Sequence, residues 1–298
     1  MLRKSMIGVG TALLSGAAGY VVWQVTAPSS SSSSTPSSST SSPSSPSTQS
    51  SSPTKGKGHQ HQHSHPHTHD WREQAKETAS WRANEMTQVS ADFRQQVFNQ
   101  GATSYDDEIG TDELVMGLLL MRRFLLRHAK GTVLETAAGS ARNLHYYPSK
   151  CAVTLIDSSP KMLEVAAEKV NQLSDDEKKK RFACFTTHND SNLAFDDNSF
   201  DTVVDTFGLC SFEDPVAGLK EMHRVLKSGG TMLLLEHGRS HYDFLNTILD
   251  NSAYGHAKRW GCWFNRDMDD ILEEAGLNIT TQHRFHFGTT WYVIAKKR

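Results

Sequence analysis

Short apolar runs bounded by turn residues alternate with amphipathic stretches over the C-terminal two thirds of the chain. Residues 132–134, 152–156, 182–186, 202–206 and 231–235 predict five buried strands. Between them, Ser159 followed by Pro160 predicts a helix start with a side-chain cap and a proline at its first position. Residues 142–147 predict a short helix ended by Pro148, and residues 215–226 a longer one that Gly229-Gly230 turns into the fifth strand. Residues 264–275 predict a helix ending at Gly276. The last two strands, 279–285 and 290–295, are separated only by a turn around Gly288, so they must pair as an antiparallel hairpin. Upstream, residues 71–100 are polar and rich in helix formers, with Trp81, Phe93 and Val97 as sparse anchors, and predict one or two surface helices. Thr111 is the expected N-cap of an apolar helix carrying Leu114, Val115, Leu118, Leu119, Met121, Phe124 and Leu125, stopped by Gly131. Arg122, Arg123 and Arg127 interrupt that run, so it is too short to cross a membrane. Strands alternating with helices predict an α/β fold with a mainly parallel sheet and a C-terminal antiparallel hairpin.

The N-terminus has a different pattern. Arg3 and Lys4 precede an uncharged run over residues 6–25. At 1.5 Å per residue such a helix is ~30 Å long, one hydrocarbon thickness. Gly8, Ala12 and Gly16 recur on one face, and Trp23 stands where an interfacial aromatic is common. The run predicts a transmembrane anchor, with a cleaved targeting segment as the competing reading. No Lys or Arg follows until Lys55, so the positive-inside rule puts the globular part across the membrane from the N-terminus. Residues 28–70 form a Ser/Pro-rich and then His-rich linker, too poor in apolar side chains to order itself. Alternating histidines from His59 to His69 bind metal weakly at such density, while a polar spacer is the simpler reading. The expected organisation is therefore an anchor over 1–27, a disordered linker over 28–70, and one domain over 71–298 with its core at about 104–298.

A net charge of −2 gives no electrostatic footprint for nucleic acid. The four cysteines have no spacing of a metal site or a disulfide framework and read as small core residues.

Chemistry concentrates at the strand ends. The first strand exits as Glu135-x-Ala137-x-Gly139-x-Ala141, small residues in alternation, which lets a ligand approach the backbone. A carboxylate at the end of that strand suits an ammonium group. The dinucleotide pattern G-x-G-x-x-G does not fit, which together with the hairpin argues against a nucleotide-dependent oxidoreductase. Asp157 ends the second strand 22 residues after Glu135, the offset at which an acid accepts from ribose hydroxyls.

The segments VLETAAGSARNLHYYP, VTLIDSSPKMLEVA, NLAFDDNSFDTVVDTFGLCSF and EMHRVLKSGGTMLLLEHGRS resemble the successive motifs of class I S-adenosylmethionine-dependent methyltransferases, in particular the type 11 group. SYDDEIG, WGCWFNRDMDDILEEAGL and GTTWYVIAKK are similar to the Oms-type mitochondrial inner-membrane methyltransferase-like proteins. The resemblance covers about residues 104–298 and implies a Rossmann-like class I methyltransferase sheet with S-adenosyl-L-methionine as cofactor. It implies that Glu135 organises the shell around the methionine ammonium and that Ala137, Gly139 and Ala141 form the turn beneath methionine and ribose. The family pattern has glycine at all three. Asp157 would bind the ribose, with Ser158 and Met162 beside the adenine. The acid expected at the adenine amino group falls on Asn189 or Asp190. Thr206 and Phe207 would flank the methyl-bearing sulfonium, and Tyr105 would form part of a lid.

Methyl transfer needs positioning, and a base only where the acceptor loses a proton. His237, leaving the fifth strand, is the candidate base, with a structural histidine as the alternative; Cys262, Trp263 and Arg266 are candidate lining of the acceptor pocket. The expected function is a membrane-anchored methyltransferase acting on a small molecule or lipid. The alternative is a cofactor-binding pseudoenzyme serving as a tethered assembly or scaffold factor. The resemblance implies the mitochondrial inner membrane; similarity to membrane-anchored thiol methyltransferase-like proteins gives the endoplasmic reticulum membrane as the alternative.

Overall fold

The computed structural model describes residues 88–174, 179–187 and 190–298. The predicted anchor, linker, His-rich tract and most of the leading polar stretch lie outside the described residues, as does Asn189.

Three helices open the described chain: α1 (Ala91–Gly101), α2 (Tyr105–Val115) and α3 (Leu118–Leu126). Ser90 caps α1 by accepting the Phe93 N–H. The predicted single helix from Thr111 is instead two. Thr111 lies inside α2, and Gly117, at φ 68, breaks the path before α3. A left-handed residue cannot continue a right-handed helix, and glycine adopts it without a Cβ penalty. Leu114 and Val115, two of the apolar residues assigned to that helix, point to solvent at 65% and 71% exposure.

The α/β part then runs β1 (Thr132–Thr136), β2 (Ala152–Asp157), α4 (Pro160–Asn171), β3 (Phe182–Thr186), β4 (Phe200–Thr206), α5 (Pro215–Val225), β5 (Leu226–His237), α6 (Asp243–Trp260), α7 (Met268–Glu274), β6 (Ile279–Phe285) and β7 (Thr290–Lys296). Residues 142–147 form consecutive turns rather than the predicted helix. Strand pairing in β5 begins before Gly229-Gly230, at Leu226 opposite Phe200, with a register irregularity on the β4 side. The helix predicted over 264–275 is shorter, because Asp267 caps it by accepting the Asp270 N–H. Helix α6 was not predicted; polar Asn246 and His256 occupy its buried side and blur the apolar period.

The seven strands form one sheet in the order β3-β2-β1-β4-β5-β7-β6. The first five positions are parallel; β7 runs antiparallel to both β5 and β6. One face packs Val133, Leu155 and Leu233 against Leu125 and Leu126 of α3 and Leu163 and Ala166 of α4. The other packs Leu134, Val203 and Leu234 against Leu219 and Met222 of α5 and Leu272 of α7. Burial of both faces explains why the central strands are continuous apolar runs. Among the described residues, no helix is long and apolar enough to cross a membrane, and no cluster of three or more His, Cys, Asp or Glu could hold a metal ion.

Candidate functional site

The C-terminal ends of β1, β2, β4 and β5 sit side by side in the sheet, where open α/β sheets place their ligands. The exit from β1 is shaped by three left-handed residues: Ala137 (φ 44), Gly139 (φ 53) and Ala141 (φ 57). An alanine rarely adopts this region, so the two alanines hold a glycine-type turn against their own preference. Space is open where a Cβ on Gly139 would stand.

Asp157, at the end of β2, organises that turn. One carboxylate oxygen accepts the Gly139 N–H and the other the Ser159 N–H, both at 2.8 Å. Burial pushes its carboxyl up from the usual range, against these backbone bonds. Asp190, half-buried, is pushed up to about 7 by burial and by the charges of Asp157 and Asp205. Helix α1 closes this side. Gln95 donates to the Ser158 carbonyl, and Asn99 accepts from the Ser159 hydroxyl at 2.8 Å. Ser159 caps α4 as predicted, accepting the Met162 N–H at 3.2 Å, and the Met162 side chain is buried.

Glu135, buried at the end of β1, is held by Tyr147 (Oη to Oε2, 2.5 Å) and Asn143 (Nδ2 to Oε1, 2.9 Å). Its carboxyl is pushed up to about 7 by burial, offset by those two bonds and by Arg122. Asn143 also donates to Thr206 Oγ1 at 2.9 Å, joining the β1 and β4 exits. Arg122, buried in α3, donates to Asn143 Oδ1 (2.9 Å), Thr206 Oγ1 (2.8 Å) and Glu113 Oε1 (2.7 Å). Its Nε is buried without a partner. Arg142 grips the other Glu113 oxygen at 2.6 Å and reaches Asp106 at 2.9 Å. Asp106 accepts from Ser140 Oγ at 2.6 Å and pairs with Lys169, so α2 is tied to the turn that follows β1. The charges of Arg122 and Arg142 hold Glu113 below the usual carboxylate range despite its burial.

The β4 exit carries Phe207, another left-handed residue at φ 61. Asp205 fixes it by accepting the Gly208 N–H and the Thr136 hydroxyl, each at 2.8 Å. The Phe207 ring lies 5.1 Å from the Arg122 guanidinium carbon and 4.5 Å from the His237 ring centre. His237 is lowered to about 4 by burial, so its imidazole is neutral at pH 7. Tyr105, at the start of α2, is half-buried; burial and the Glu113 charge push its hydroxyl up. Cys210 and Cys262 share a small apolar cluster with Leu249 and Phe264. Trp263 packs instead with Val89 and Ala257, between α1 and α6, and Arg266 donates to the Phe212 carbonyl.

The structure thus gathers Glu135, Ala137, Gly139, Ala141, Asp157, Asp190, Thr206, Phe207 and His237 at one end of the sheet. Ser158 and Met162 follow on the α1–α4 side. Arg122, Glu113, Arg142, Asn143 and Tyr147 were missed by sequence reasoning. The signal for Arg122 was present, as a cation within an otherwise apolar helix face that had to be satisfied or functional.

Comparison with known proteins bears on this geometry. A methyltransferase domain family model matches residues 134–234. Methyltransferase OMS1, mitochondrial, from Saccharomyces cerevisiae is 36% identical over 214 residues, 67% of this chain and 45% of that protein. The chain thus spans less than half the length of that relative. The ubiquinone/menaquinone biosynthesis C-methyltransferase UbiE of Shewanella piezotolerans is 31% identical over 188 residues, 60% of this chain and 72% of that protein. A Haloferax volcanii chain solved in complex with a methyltransferase activator superposes with a TM-score of 0.52 at 17% identity, covering 67% of this chain and 96% of its own; it shares the fold.

Proposed function

We propose that this chain, which belongs to the class I S-adenosylmethionine-dependent methyltransferases, transfers a methyl group from S-adenosyl-L-methionine to a small-molecule or lipid acceptor while tethered to a membrane. The observation that carries the reading is the turn from Ala137 to Ala141 held on Asp157, with its three left-handed residues and the open space above Gly139. The cofactor suits this edge: Asp157 and Asp190 would hold its nucleoside part, and Glu135, with Asn143 and Tyr147 ordered on it, would hold its ammonium. Asn189 remains the alternative to Asp190 at the adenine. Ser158 and Met162 border that side, and Tyr105 covers it on α2.

The cofactor supplies a methyl group on a sulfonium, already a good leaving group. The protein's part is then to align the acceptor and keep water out. Thr206 and Phe207 border the reacting centre, and Arg122 fixes both by hydrogen bond and by its position near the ring. His237 takes up the proton that the acceptor loses, and its neutral imidazole is free to do so.

The uncharged run over residues 6–25 supports the tether. The similarity to the mitochondrial yeast methyltransferase supports a mitochondrial location, and that to the bacterial ubiquinone/menaquinone C-methyltransferase a small-molecule acceptor.

The test is calorimetry with S-adenosylhomocysteine on the full chain and on Asp157→Ala, alongside metabolite profiling of membranes from cells making each. The reading expects binding to be lost in the variant, with its circular dichroism unchanged, and one metabolite gaining a methyl only with the wild type. Equal affinity in both would falsify the site assignment. Binding without any methylated product would leave a cofactor-binding scaffold.

A further inference from the structure

Apart from Phe185, the large apolar side chains exposed on the described residues fall on three segments that meet. Leu114, Val115, Leu120 and Phe124 lie on α2 and α3; Phe285 and Phe287 lie at the β6–β7 turn; Tyr242, Phe244 and Ile248 lie at the start of α6. Hydrogen bonds join the segments. His286 Nε2 stands 3.0 Å from the Met116 carbonyl oxygen, and Ser240 Oγ donates to the Phe287 carbonyl at 2.5 Å. The Tyr242 ring centre is 6.4 Å from that of Phe287 and 5.9 Å from that of Phe244. Phe124 and Phe285 both line a groove of about 390 Å³, with Met121, Tyr292 and Ile294 and the polar His128 and His283. The result is a continuous apolar band along the α3, hairpin and α6 edge. Isolated exposed apolar residues are ordinary, but a contiguous set marks a contact surface.

Two further observations bear on what covers it. The turn that presents Phe287 is strained: His286 (φ 51) and Phe287 (φ 58) are successive left-handed residues without glycine. The exposed charges along the α3 part of the band are cationic: Arg123, Arg127 and Lys130, with no acid over residues 114–134. Arg122 is buried against Glu113 and Arg284 is paired with Asp269, so neither adds a free charge to the rim. The ends of the band on α2 and α6 carry the exposed acids Asp112 and Asp243, so the cationic side is that of α3 and the hairpin groove. Arg123 and Arg127 are exposed beside Phe124. An aromatic and aliphatic surface with cations along its α3 side matches the interface of an anionic bilayer, where apolar side chains enter the acyl boundary and cations meet headgroups. The chain upstream also carries the uncharged run over residues 6–25, which would keep such a surface nearby.

We propose that the domain docks on an anionic lipid bilayer through this band, with the α3–hairpin groove and the Phe287 turn entering the interface and Arg123 and Arg127 contacting headgroups. The docked surface is continuous with the end of the sheet that carries His237, through Thr290, which pairs with it in register and meets His286 Nδ1 at 2.9 Å. An acceptor dissolved in the bilayer then reaches the site without crossing water. The docking itself does not depend on methyl transfer or on the tether.

The experiment is hydrogen–deuterium exchange on the full chain, free and with vesicles of phosphatidylcholine alone or of phosphatidylcholine with one quarter phosphatidylglycerol. Docking predicts slowed exchange over residues 114–128 and 282–290 on the anionic vesicles, weaker slowing on the neutral ones, and none over α4. Arg123→Glu with Arg127→Glu should weaken it roughly tenfold or more. Phe124→Ser with Phe287→Ser should remove it. The tether, read from exchange over residues 6–25, is scored separately in the same samples. Three outcomes overturn the proposal: unchanged exchange over the band on anionic vesicles, protection without vesicles that grows with protein concentration (a second copy), and protection without vesicles that is lost on deleting residues 6–25 (the chain's own segment).

Discussion

Arg122 donates from Nη1 to the Thr206 hydroxyl at 2.8 Å, tying the middle of α3 to the last residue of β4. Its Nη2 holds Glu113 in α2 at 2.7 Å, and both side chains are buried. A pair of this kind contributes little net stability while intact, because desolvation opposes attraction, but breaking it from one side leaves a buried charge. Arg122→Met should therefore cost about 3–5 kcal/mol. Arg142 still pairs with the other Glu113 oxygen in that variant, so adding Glu113→Gln, which also takes the partner from Arg142, should deepen the loss. Urea unfolding of both variants checks this; equal losses in the single and double variants would show that the packing of Arg122, not its charge, matters.

The turn at the end of β1 makes a prediction of opposite sign. Ala137 and Ala141 sit at φ 44 and φ 57, where an L side chain costs roughly 1–2 kcal/mol. Glycine relieves that strain but adds freedom to the unfolded chain, worth about 0.5–1 kcal/mol. Ala141→Gly should therefore be neutral to stabilising by up to about 1 kcal/mol. Gly139→Ala, at φ 53 with open space around it, should lose about 1 kcal/mol from strain alone. Gly208→Ala should lose more, because its Cβ would stand 2.4 Å from Asp205 Oδ1 and 2.6 Å from the Ala137 Cβ. Thermal unfolding ranks the three; a stabilising Gly139→Ala would refute the strain argument.

These positions show what the sequence carried and what it could not. The central strands were legible because both sheet faces are buried, which makes each strand a short apolar run between turn residues; β3 matches its predicted bounds. The α4 start was legible because a serine cap and a following proline are local signals. The segment after Ala141 was not. Its helix formers are overruled by the left-handed turn and by Asn143 and Tyr147 turning inward to Glu135. The exposure of Leu114 and Val115 was not legible, because periodicity reports that a face is apolar, not what covers it. Arg122 told only that its helix does not span a membrane. Its partners Glu113, Asn143 and Thr206 are 9, 21 and 84 residues away in sequence. Asp157, by contrast, was singled out by its offset from Glu135 in sequence, and the parallel β1–β2 pairing brings the two strand ends side by side.

Glu135 predicts how cofactor affinity depends on pH. Its carboxyl titrates at about 7, raised by burial. A raised carboxyl binds its proton more tightly folded than unfolded, so it costs stability as pH rises from about 4.5 to about 7. Glu135→Gln should then be more stable relative to wild type at pH 8 than at pH 5. With the cofactor's ammonium beside Glu135, as proposed, its charge would favour the ionised carboxyl, so binding should release a proton below pH 7 and affinity should fall by up to about tenfold from pH 7.5 to pH 6. Calorimetry with S-adenosylhomocysteine in buffers of different ionisation enthalpy reads that proton directly. Affinity independent of pH, with no proton released, would exclude Glu135 from the ammonium shell.

His237 separates catalysis from packing. Burial lowers its imidazole to about 4, with Arg122 and His286 adding to the shift and Glu113 opposing it. A base with a lowered folded value costs stability as pH falls from about 6.5 toward 4, because the unfolded chain then binds the proton more readily. His237→Gln removes that penalty, so the stability of the variant relative to wild type should improve at pH 5 compared with pH 8, whatever the histidine's role. Activity makes the distinction. As the proton acceptor, His237 should give a transfer rate that stays level down to about pH 5, well below the usual histidine range, and His237→Gln should lose roughly a hundredfold or more in rate. Affinity for S-adenosylhomocysteine should change little, because the ring meets Phe207 rather than the turn at Gly139. Methyl incorporation from labelled cofactor into a membrane extract, followed against pH for both proteins, checks it. A variant with the wild-type rate and only the altered unfolding profile would make His237 a packing residue against Phe207.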